Sequence, residues 1–287
     1  MSAVRDRLFI WLQYVLPQHA ISRCVLHATR VRTRWFKDIL IASFLKLLPV
    51  DMSEAIDPDP HACSSFNEFF TRPLKPAARP IAAGAADIAS PVDGQVSACG
   101  AIEGDSLLQA KGRRYTLHEL LAQLPWAARF AGGTFATLYL APFNYHRIHM
   151  PAAGALTAAW YVPGRLFSVN ATTAAGVTGL FARNERIVCI FEDGAFSFAL
   201  VLVGALFVGS MSTYWHGDVT PRVRRPCELK SRANAKPRLP KGAELARFNM
   251  GSTVILLLPR EQTDWLAGLA AGSRIQVGQA LARRRAP

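Results

Sequence analysis

The sequence predicts an α+β protein with a mainly antiparallel β-sandwich or barrel-like core and amphipathic helices at the N-terminus. From about residue 85, short apolar runs alternate with glycine and proline turns, a spacing typical of a sandwich or barrel. Helical patterns are few in that part, chiefly residues 116–130. Residues 1–50, in contrast, carry apolar side chains at helical spacing. We therefore divide the chain into N-terminal helices (1–50) and a β-rich domain (51–287).

The N-terminal helices are suited to a membrane surface. On the first, one face carries the apolar residues Leu8, Trp11, Leu12, Val15 and Leu16. In a second segment, the apolar residues flank Lys37 and Lys46; they are Ile39, Ile41, Phe44, Leu45, Leu47 and Leu48. Residues 1–50 hold eight Lys and Arg against two acids. A basic amphipathic helix can lie in a membrane interface. Packing of both helices on the protein's own core is the alternative, and the charge favours the membrane.

Composition narrows the possible partners. The chain of 287 residues is long enough for a sizeable core, and its formal charge of +13 indicates an anionic partner. Nucleic acid is disfavoured, because there is no zinc-finger spacing and no RNP-like aromatic motif. No apolar run approaches ~18 residues, so a spanning helix is not expected. The five scattered cysteines fit a reducing compartment rather than a disulfide framework.

The β-rich domain begins with a loop, residues 51–80, in which residues 66–73 predict a short helix docked by its aromatic side chains. Turn residues bound each of the apolar runs that follow. We predict strands at 94–102, 134–141, 156–163, 186–192, 196–203 and 206–213, and a buried strand over 254–258.

Three segments carry residues that could perform chemistry. Gly251-Ser252-Thr253 precedes the buried strand, and Ser252 places a hydroxyl beside the Gly251 carbonyl. Asp93 lies in a Pro/Gly turn, and His146 and His149 are three residues apart. A serine, a histidine that takes its proton and an aspartate that orients the histidine form a nucleophilic arrangement. Each segment also has a plainer interpretation, as a turn or as a structural histidine pair, and the nucleophile elbow of α/β-hydrolases is absent.

Six motifs occur along the chain: Phe66-Asn67-Glu68-Phe69-Phe70, Ser90-Pro91-Val92-Asp93-Gly94, Tyr145-His146-Arg147-Ile148-His149-Met150-Pro151, Tyr161-Val162-Pro163-Gly164, Phe181-Ala182-Arg183-Asn184-Glu185-Arg186 and Gly251-Ser252-Thr253. In combination they resemble the bacterial, pyruvoyl-dependent phosphatidylserine decarboxylase family, over nearly the whole chain from about residue 8 to about 280. Two departures from the family pattern are Met250, where leucine is usual, and Ala246, where glycine is frequent.

The resemblance implies that the chain is a proenzyme that cuts itself at Gly251-Ser252. His149, oriented by Asp93, would deprotonate Ser252, which would attack the Gly251 carbonyl through a strained, accessible glycine. The products would be a β chain (1–251) and an α chain (252–287) that starts with a pyruvoyl group derived from Ser252. The two chains would form a heterodimer, and two heterodimers could pair.

The resemblance also implies a reaction and a location. The pyruvoyl cofactor would form a Schiff base with phosphatidylserine and, after loss of carbon dioxide, His146 would deliver a proton to give phosphatidylethanolamine in phospholipid biosynthesis. The enzyme would bind an anionic membrane surface as a peripheral protein on the cytoplasmic face of the inner membrane, without nucleic acid or metal. The substrate-binding candidates are Tyr145, Phe167, Ser168, Asn170 and Thr253.

Two other functions fit the residues alone. A metal-dependent hydrolase could use His146, His149 and Asp93, although no third ligand has HExxH or CxxC spacing. A basic membrane-binding module without enzymatic activity would need only the N-terminal helices. Intact-mass analysis separates these functions, because only the pyruvoyl enzyme yields two fragments with a carbonyl-blocked second chain.

Overall fold

A computed structural model describes residues 2–207, 210–219, 223–231 and 237–285. Three helices precede the β-rich part, where the sequence predicted two segments. The first ends at Val15 because Pro17 interrupts it, and the extra helix buries polar residues, so it lacks an apolar stripe. The helices are α1 Ser2–Val15, α2 Gln18–Thr29, α3 Arg34–Leu47, α4 Phe66–Phe70, α5 Leu117–Leu120, α6 Ala127–Phe130, α7 Ala171–Gly176 and α8 Leu180–Arg183.

The strands of the described residues form four antiparallel sheets. They are β1 Asp87–Ala89, β2 Gly94–Ala101, β3 Ser106–Ala110, β4 Arg113–Thr116, β5 Thr134–Tyr139, β6 Arg147–His149, β7 Gly154–Val162, β8 Arg186–Asp193, β9 Phe196–Val203, β10 Met211–Thr213, β11 Gly217–Val219, β12 Cys227–Glu228, β13 Arg238–Leu239, β14 Glu244–Phe248, β15 Thr253–Leu258, β16 Thr263–Trp265, β17 Arg274–Ile275 and β18 Ala280–Arg284.

The largest sheet has the order β12-β7-β8-β9-β15-β5-β2-β17, with β13 also paired to β7. The smaller sheets are β11-β10-β14-β6, β1-β18-β16 and β3-β4. The predicted α+β class with antiparallel sheets is confirmed. The large sheet has two free ends, so it is open rather than a closed barrel. Its strands β8, β9 and β15 are buried along nearly their whole length, which explains their continuous apolar sequences.

Two element predictions were wrong. The run 206–213 is a strand only over Met211–Thr213, while residues 206–207 form a turn and residues 208–209 lie outside the described residues. The helical pattern over 116–130 forms two short helices, α5 and α6. Ala122 and Gln123 separate them with φ values of 55° and 61°, a left-handed conformation that no helix can continue through.

The N-terminal helices present apolar side chains outward. Leu8, Trp11 and Val15, on the predicted face of α1, are 56%, 58% and 56% exposed, so this face does not pack on the protein's own core. Helix α3 divides its apolar residues: Ile41 is buried among the phenylalanines of α4, while Trp35, Ile39 and Leu47 are exposed. Within the described part of the chain, no helix is both long and apolar enough to cross a membrane.

Candidate active site

The sheet topology brings the predicted site segments together. Strands β2 and β15 flank β5 and run antiparallel to it, so both begin where β5 ends, at Tyr139. Asp93 directly precedes β2, and Ser252 directly precedes β15. Neighbouring strands lie ~4.8 Å apart, which puts the two backbones about 10 Å from each other. The chain leaving β5 continues into the histidine segment, and therefore all three motifs meet at this end of the sheet.

Gly94 makes this convergence possible. A Cβ atom at this position would lie 2.1 Å from the Tyr139 carbonyl oxygen, so only glycine fits between the strands here. The close approach fixes Asp93 against the end of β5.

Ser252 is fully buried, and its hydroxyl lacks a hydrogen-bond partner among the described residues. Its carbonyl accepts a hydrogen bond from the Leu140 N–H at 2.9 Å. Buried hydroxyls are normally hydrogen-bonded, and Ser252 shares this lack of a partner with the neighbouring Thr253 and with Thr263. Gly251 is half-buried. Its φ is not positive, so the expected backbone strain is not seen at this residue.

Asp93 is held by groups other than the histidines. Its carboxylate accepts hydrogen bonds from Arg79 Nε to Oδ1 at 2.9 Å and from Arg79 Nη2 to Oδ2 at 2.5 Å, and Oδ1 also accepts one from the Val277 N–H at 2.8 Å. The same guanidinium also binds Glu54. Burial alone would lower the pKa of Arg79, but the hydrogen bonds to Asp93 and Glu54 raise it above its ordinary value. Among the described residues, Asp93 makes no hydrogen bond to His149. The hydrogen bonds therefore do not support the prediction that Asp93 orients His149 directly.

His149 is oriented by a backbone carbonyl instead. Its Nδ1 lies 2.8 Å from the Gly242 carbonyl oxygen, which can only accept, so Nδ1 carries the proton. Nε2 is then the acceptor and lies 3.0 Å from the Tyr145 hydroxyl. Burial lowers the pKa of His149, while the hydrogen bond to Gly242, the charge of Glu244 and, to a smaller extent, the charge of Asp93 act to raise it. The His149 N–H donates to the Pro91 carbonyl at 2.8 Å, which ties the histidine to the Asp93 loop.

His146 lies beside the cleavage candidate. A methyl group added at Gly251 would lie 3.4 Å from its Cε1 atom. The ring stacks on Phe70 with the centroids 4.1 Å apart, and Nε2 lies 3.2 Å from the Pro142 carbonyl, to which it donates. Nδ1 is thus an acceptor, and it is buried without a partner among the described residues. Burial lowers the pKa of His146 to about 3, so the ring is neutral at neutral pH.

The two histidines face opposite ways. Side chains alternate along an extended segment, so residues 145 and 149 share one face and residue 146 lies on the other. The contact of Tyr145 with His149 and the stacking of His146 on Phe70 agree with this. No group of three His, Cys, Asp or Glu side chains in the described residues lies close enough to hold a metal ion. The geometry therefore does not favour the metallohydrolase alternative.

A cavity of about 740 Å³ adjoins the site through Asp93 and Tyr145. Of the five substrate-binding candidates, Tyr145 lines it. Phe167 instead packs on Tyr14 of α1, the Ser168 N–H donates to Gln13, and Asn170 caps α7. Thr253 lies in β15 with its hydroxyl buried.

Sequence reasoning missed three residues of this cavity: Glu54, Arg72 and Arg79. All three lie in or beside the proline-rich loop before β1. The only available signal was a pair of arginines, each followed by a proline, which fixes the backbone beside a charged side chain.

Known proteins are similar to this chain over almost its full length. A family model described as phosphatidylserine decarboxylase matches residues 66–283, and a second, described as PSD, matches residues 8–47. A Methylococcus capsulatus protein is 45% identical over 282 residues, covering 98% of each chain. One from Saccharophagus degradans is 46% identical, covering 97% of this chain and 98% of its own. One from Pseudomonas aeruginosa is 50% identical, covering 97% of each.

All three relatives carry the name phosphatidylserine decarboxylase proenzyme. The first family model alone spans well over half of this chain, and the relatives align along almost its full length. The resemblance seen in the sequence motifs is thereby confirmed. The two alternatives, a metal-dependent hydrolase and a membrane-binding module without enzymatic activity, are not supported. The chain therefore belongs to the phosphatidylserine decarboxylase family and is a carboxy-lyase.

Proposed function

We propose that the chain converts phosphatidylserine to phosphatidylethanolamine in phospholipid biosynthesis, after cutting itself between Gly251 and Ser252. The observation that carries the proposal is the Ser252 hydroxyl, which is buried and without a partner among the described residues immediately before a central strand. The name proenzyme, borne by the relatives, supports processing into two chains.

The cleavage needs only atoms of the chain and one water molecule. The Ser252 oxygen attacks the Gly251 carbonyl carbon, the peptide C–N bond breaks, and an ester replaces the amide. Elimination then releases Gly251 as a carboxylate and leaves a dehydroalanine at position 252. Water converts this residue to a pyruvoyl group with loss of ammonia.

His149 takes the Ser252 proton in this proposal. The Gly242 carbonyl fixes its tautomer, so that Nε2 presents a lone pair. A protonated His149 carries a positive charge, and the negative charge of Asp93 stabilises it through space. Asp93 thus contributes through its charge and by anchoring the loop that binds the His149 N–H. Tyr145 must release Nε2 for the proton to be accepted there.

The buried end of β15 fits a pyruvoyl group, because the Ser252 hydroxyl lacks a partner among the described residues and the preceding Gly251 lies beside the His146 ring, whose Nδ1 also lacks one there. When present, the group supplies an electrophilic carbonyl that binds the substrate amine and accepts the electrons left by carbon dioxide. His146 handles the proton at the substrate carbon, through Nδ1. Its low pKa in the substrate-free chain rises when an anionic substrate enters, because a nearby negative charge favours the protonated ring.

The cut leaves the two chains associated. The α chain begins at β15, which pairs with β9 on one side and β5 on the other, both from the β chain. Strands β17 and β18 pair with β2 and β1. Separation would break all these pairings at once.

The substrate is a membrane lipid, and the exposed face of α1 supports docking on an anionic surface. Leu8, Trp11 and Val15 can enter the interface while basic residues of the helical region attract the lipid headgroups. The enzyme is then peripheral, bound at the cytoplasmic face of the inner membrane.

Intact-mass analysis tests the proposal. The parent protein should give fragments of residues 1–251 and 252–287, the second with a pyruvoyl mass in place of its serine. Ser252→Ala should remain one chain. Thr263→Val is the matched control, because it removes another buried hydroxyl that lacks a partner among the described residues, and it should be cut normally. Cleavage of Ser252→Ala would refute the assignment of the nucleophile.

A further inference from the structure

In the 740 Å³ cavity beside the site, the acidic side chains have partners, whereas one buried arginine has none among the described residues. Three arginines and three acids line it. Arg79 binds both Asp93 and Glu54, and Asp51 accepts hydrogen bonds from the Ser53 N–H and hydroxyl. These contacts satisfy the acids. The remaining buried arginine is Arg72.

Arg72 is only 6% exposed, yet no carboxylate of the described residues lies within ion-pair distance of it. Its Nε atom is buried without a hydrogen-bond partner in the described part of the chain. The guanidinium lies 5.8 Å from the ring centroid of Phe69, a contact that leaves its in-plane N–H donors free. Burial lowers the pKa of Arg72, and the surrounding acids oppose this, so the side chain remains a cation.

A buried cation without a partner is costly, and an anion that enters the cavity recovers that cost. The planar guanidinium matches the oxygens of a phosphate or a carboxylate. We infer that Arg72 binds the phosphate of the phospholipid headgroup, an inference that rests on the proposed function.

The chemistry favours the phosphate over the carboxylate. The carboxylate leaves as neutral carbon dioxide, so a cation bound to it would stabilise the substrate more than the transition state. The phosphate keeps its charge throughout, and a cation bound to it holds the lipid without opposing the reaction.

The position also fits. Arg72 follows Phe70, which stacks on His146, and its charge acts to lower the pKa of that histidine. In the serine headgroup, only one methylene and one oxygen separate the phosphorus from the reacting carbon. The cavity is also lined by Pro49, just beyond α3, and by the partly exposed Phe143, which suits entry from a lipid surface.

Steady-state kinetics on mixed micelles test the inference. Arg72→Gln should still be cut, which shows that the variant folds. Its KM should rise about 10- to 100-fold while its kcat changes by less than about threefold. The reason is that the variant loses a charge-assisted contact that substrate and transition state share. Arg274→Gln is the matched control, since it removes the same charge from an exposed position on the same cavity and should change KM much less. Equal effects of the two variants would overturn a specific site.

Product inhibition distinguishes the phosphate from the carboxylate. Phosphatidylethanolamine keeps the phosphate and lacks the carboxylate, so its inhibition constant should weaken in Arg72→Gln as much as KM rises. An unchanged inhibition constant beside a raised KM would overturn the phosphate assignment. If Arg72→Gln is not cut, Arg72→Lys takes its place, and its expected KM and inhibition constant both rise.

A binding measurement separates this inference from the proposed function. Dihexanoylphosphatidylserine is titrated by calorimetry into uncut Ser252→Ala and into Ser252→Ala/Arg72→Gln. The cavity is present in the continuous chain, so binding should be detected in the first and be about 10- to 100-fold weaker in the second. Absence of binding, or equal binding, would overturn the role of Arg72. Failure of the proposed function would appear instead as a parent chain that stays uncut.

Discussion

Asp93→Asn tests the contacts around the site most directly. In the structure the Asp93 carboxylate accepts hydrogen bonds from Arg79 and from the Val277 N–H. Asparagine keeps one acceptor oxygen but brings an NH₂ group toward these donors, and it removes the negative charge. The side chains of Asp93 and Arg79 are 7% and 11% exposed, so water can replace the lost contacts only from the side of the cavity that they line.

The expected loss of unfolding free energy is about 2 kcal/mol. Breaking a buried ion pair outright costs about 3–5 kcal/mol, because an unpaired charge is left behind. Here Glu54 still binds the guanidinium, so the loss is closer to that of one hydrogen bond to a charged group, about 1.5–3 kcal/mol. Glu54→Gln is the matched control. Its side chain is 33% exposed, and we expect a loss below about 1 kcal/mol.

Two measurements are needed. Urea unfolding is performed in the Ser252→Ala background, so that every compared chain is uncut. The cleavage rate is measured with Ser252 present, on gels of newly purified protein. Asp93→Asn should be cut more slowly than Glu54→Gln, because it removes one of the two negative charges that favour protonated His149 and loosens the loop that binds the His149 N–H. Equal losses of stability in the two variants, or cleavage of Asp93→Asn at the parent rate, would refute this reasoning.

Three further perturbations test other parts of the proposal. His149→Ala should accumulate uncut chain, whereas His146→Ala should be cut yet turn over about 10²–10⁴-fold more slowly; the reverse pattern on a gel and in a carbon dioxide release assay would exchange their roles. In the Ser252→Ala background the unfolding free energy should fall by up to about 1.4 kcal/mol per pH unit as the pH drops from about 6.5 towards 3, because His146 is protonated in the unfolded state at a higher pH than in the folded state. If His146→Gln shows the same slope, the low pKa of His146 is contradicted. Trp11→Ser should weaken flotation with anionic vesicles without changing thermal stability, and unchanged flotation would exclude this face from docking.

The sheet could be predicted from sequence because its strands are long and apolar and are bounded by turn residues. Strands β2, β5, β8 and β9 all lie within or close to their predicted ranges. Elements whose pattern is weak were missed. Helix α2 buries Gln18, Ser22 and Thr29, so its inward face is polar and does not register as an apolar stripe.

The identity of the site motifs was readable from sequence, whereas their contacts were not. Asp93 is held by Arg79 and Val277, which lie 14 and 184 positions away, and His149 by the carbonyl of Gly242, 93 positions away. Backbone groups have no sequence signature, and one arginine in a proline-rich loop looks like another. Only the fold determines which carbonyl fixes a tautomer and which arginine lacks a partner.

The position of the proposed cut also has a physical reason. Ser252 directly precedes β15, and Thr253 pairs with Tyr139 on one side and Val203 on the other. A new chain end formed at position 252 is therefore attached to a strand bonded on both sides, not to a free tail. A reactive group needs a rigid support to hold its geometry, and a strand in the interior of a large sheet supplies one. A cut within a surface loop would produce the same chemical group on a mobile end, where neither His146 nor the cavity of Arg72 could be held in place relative to it.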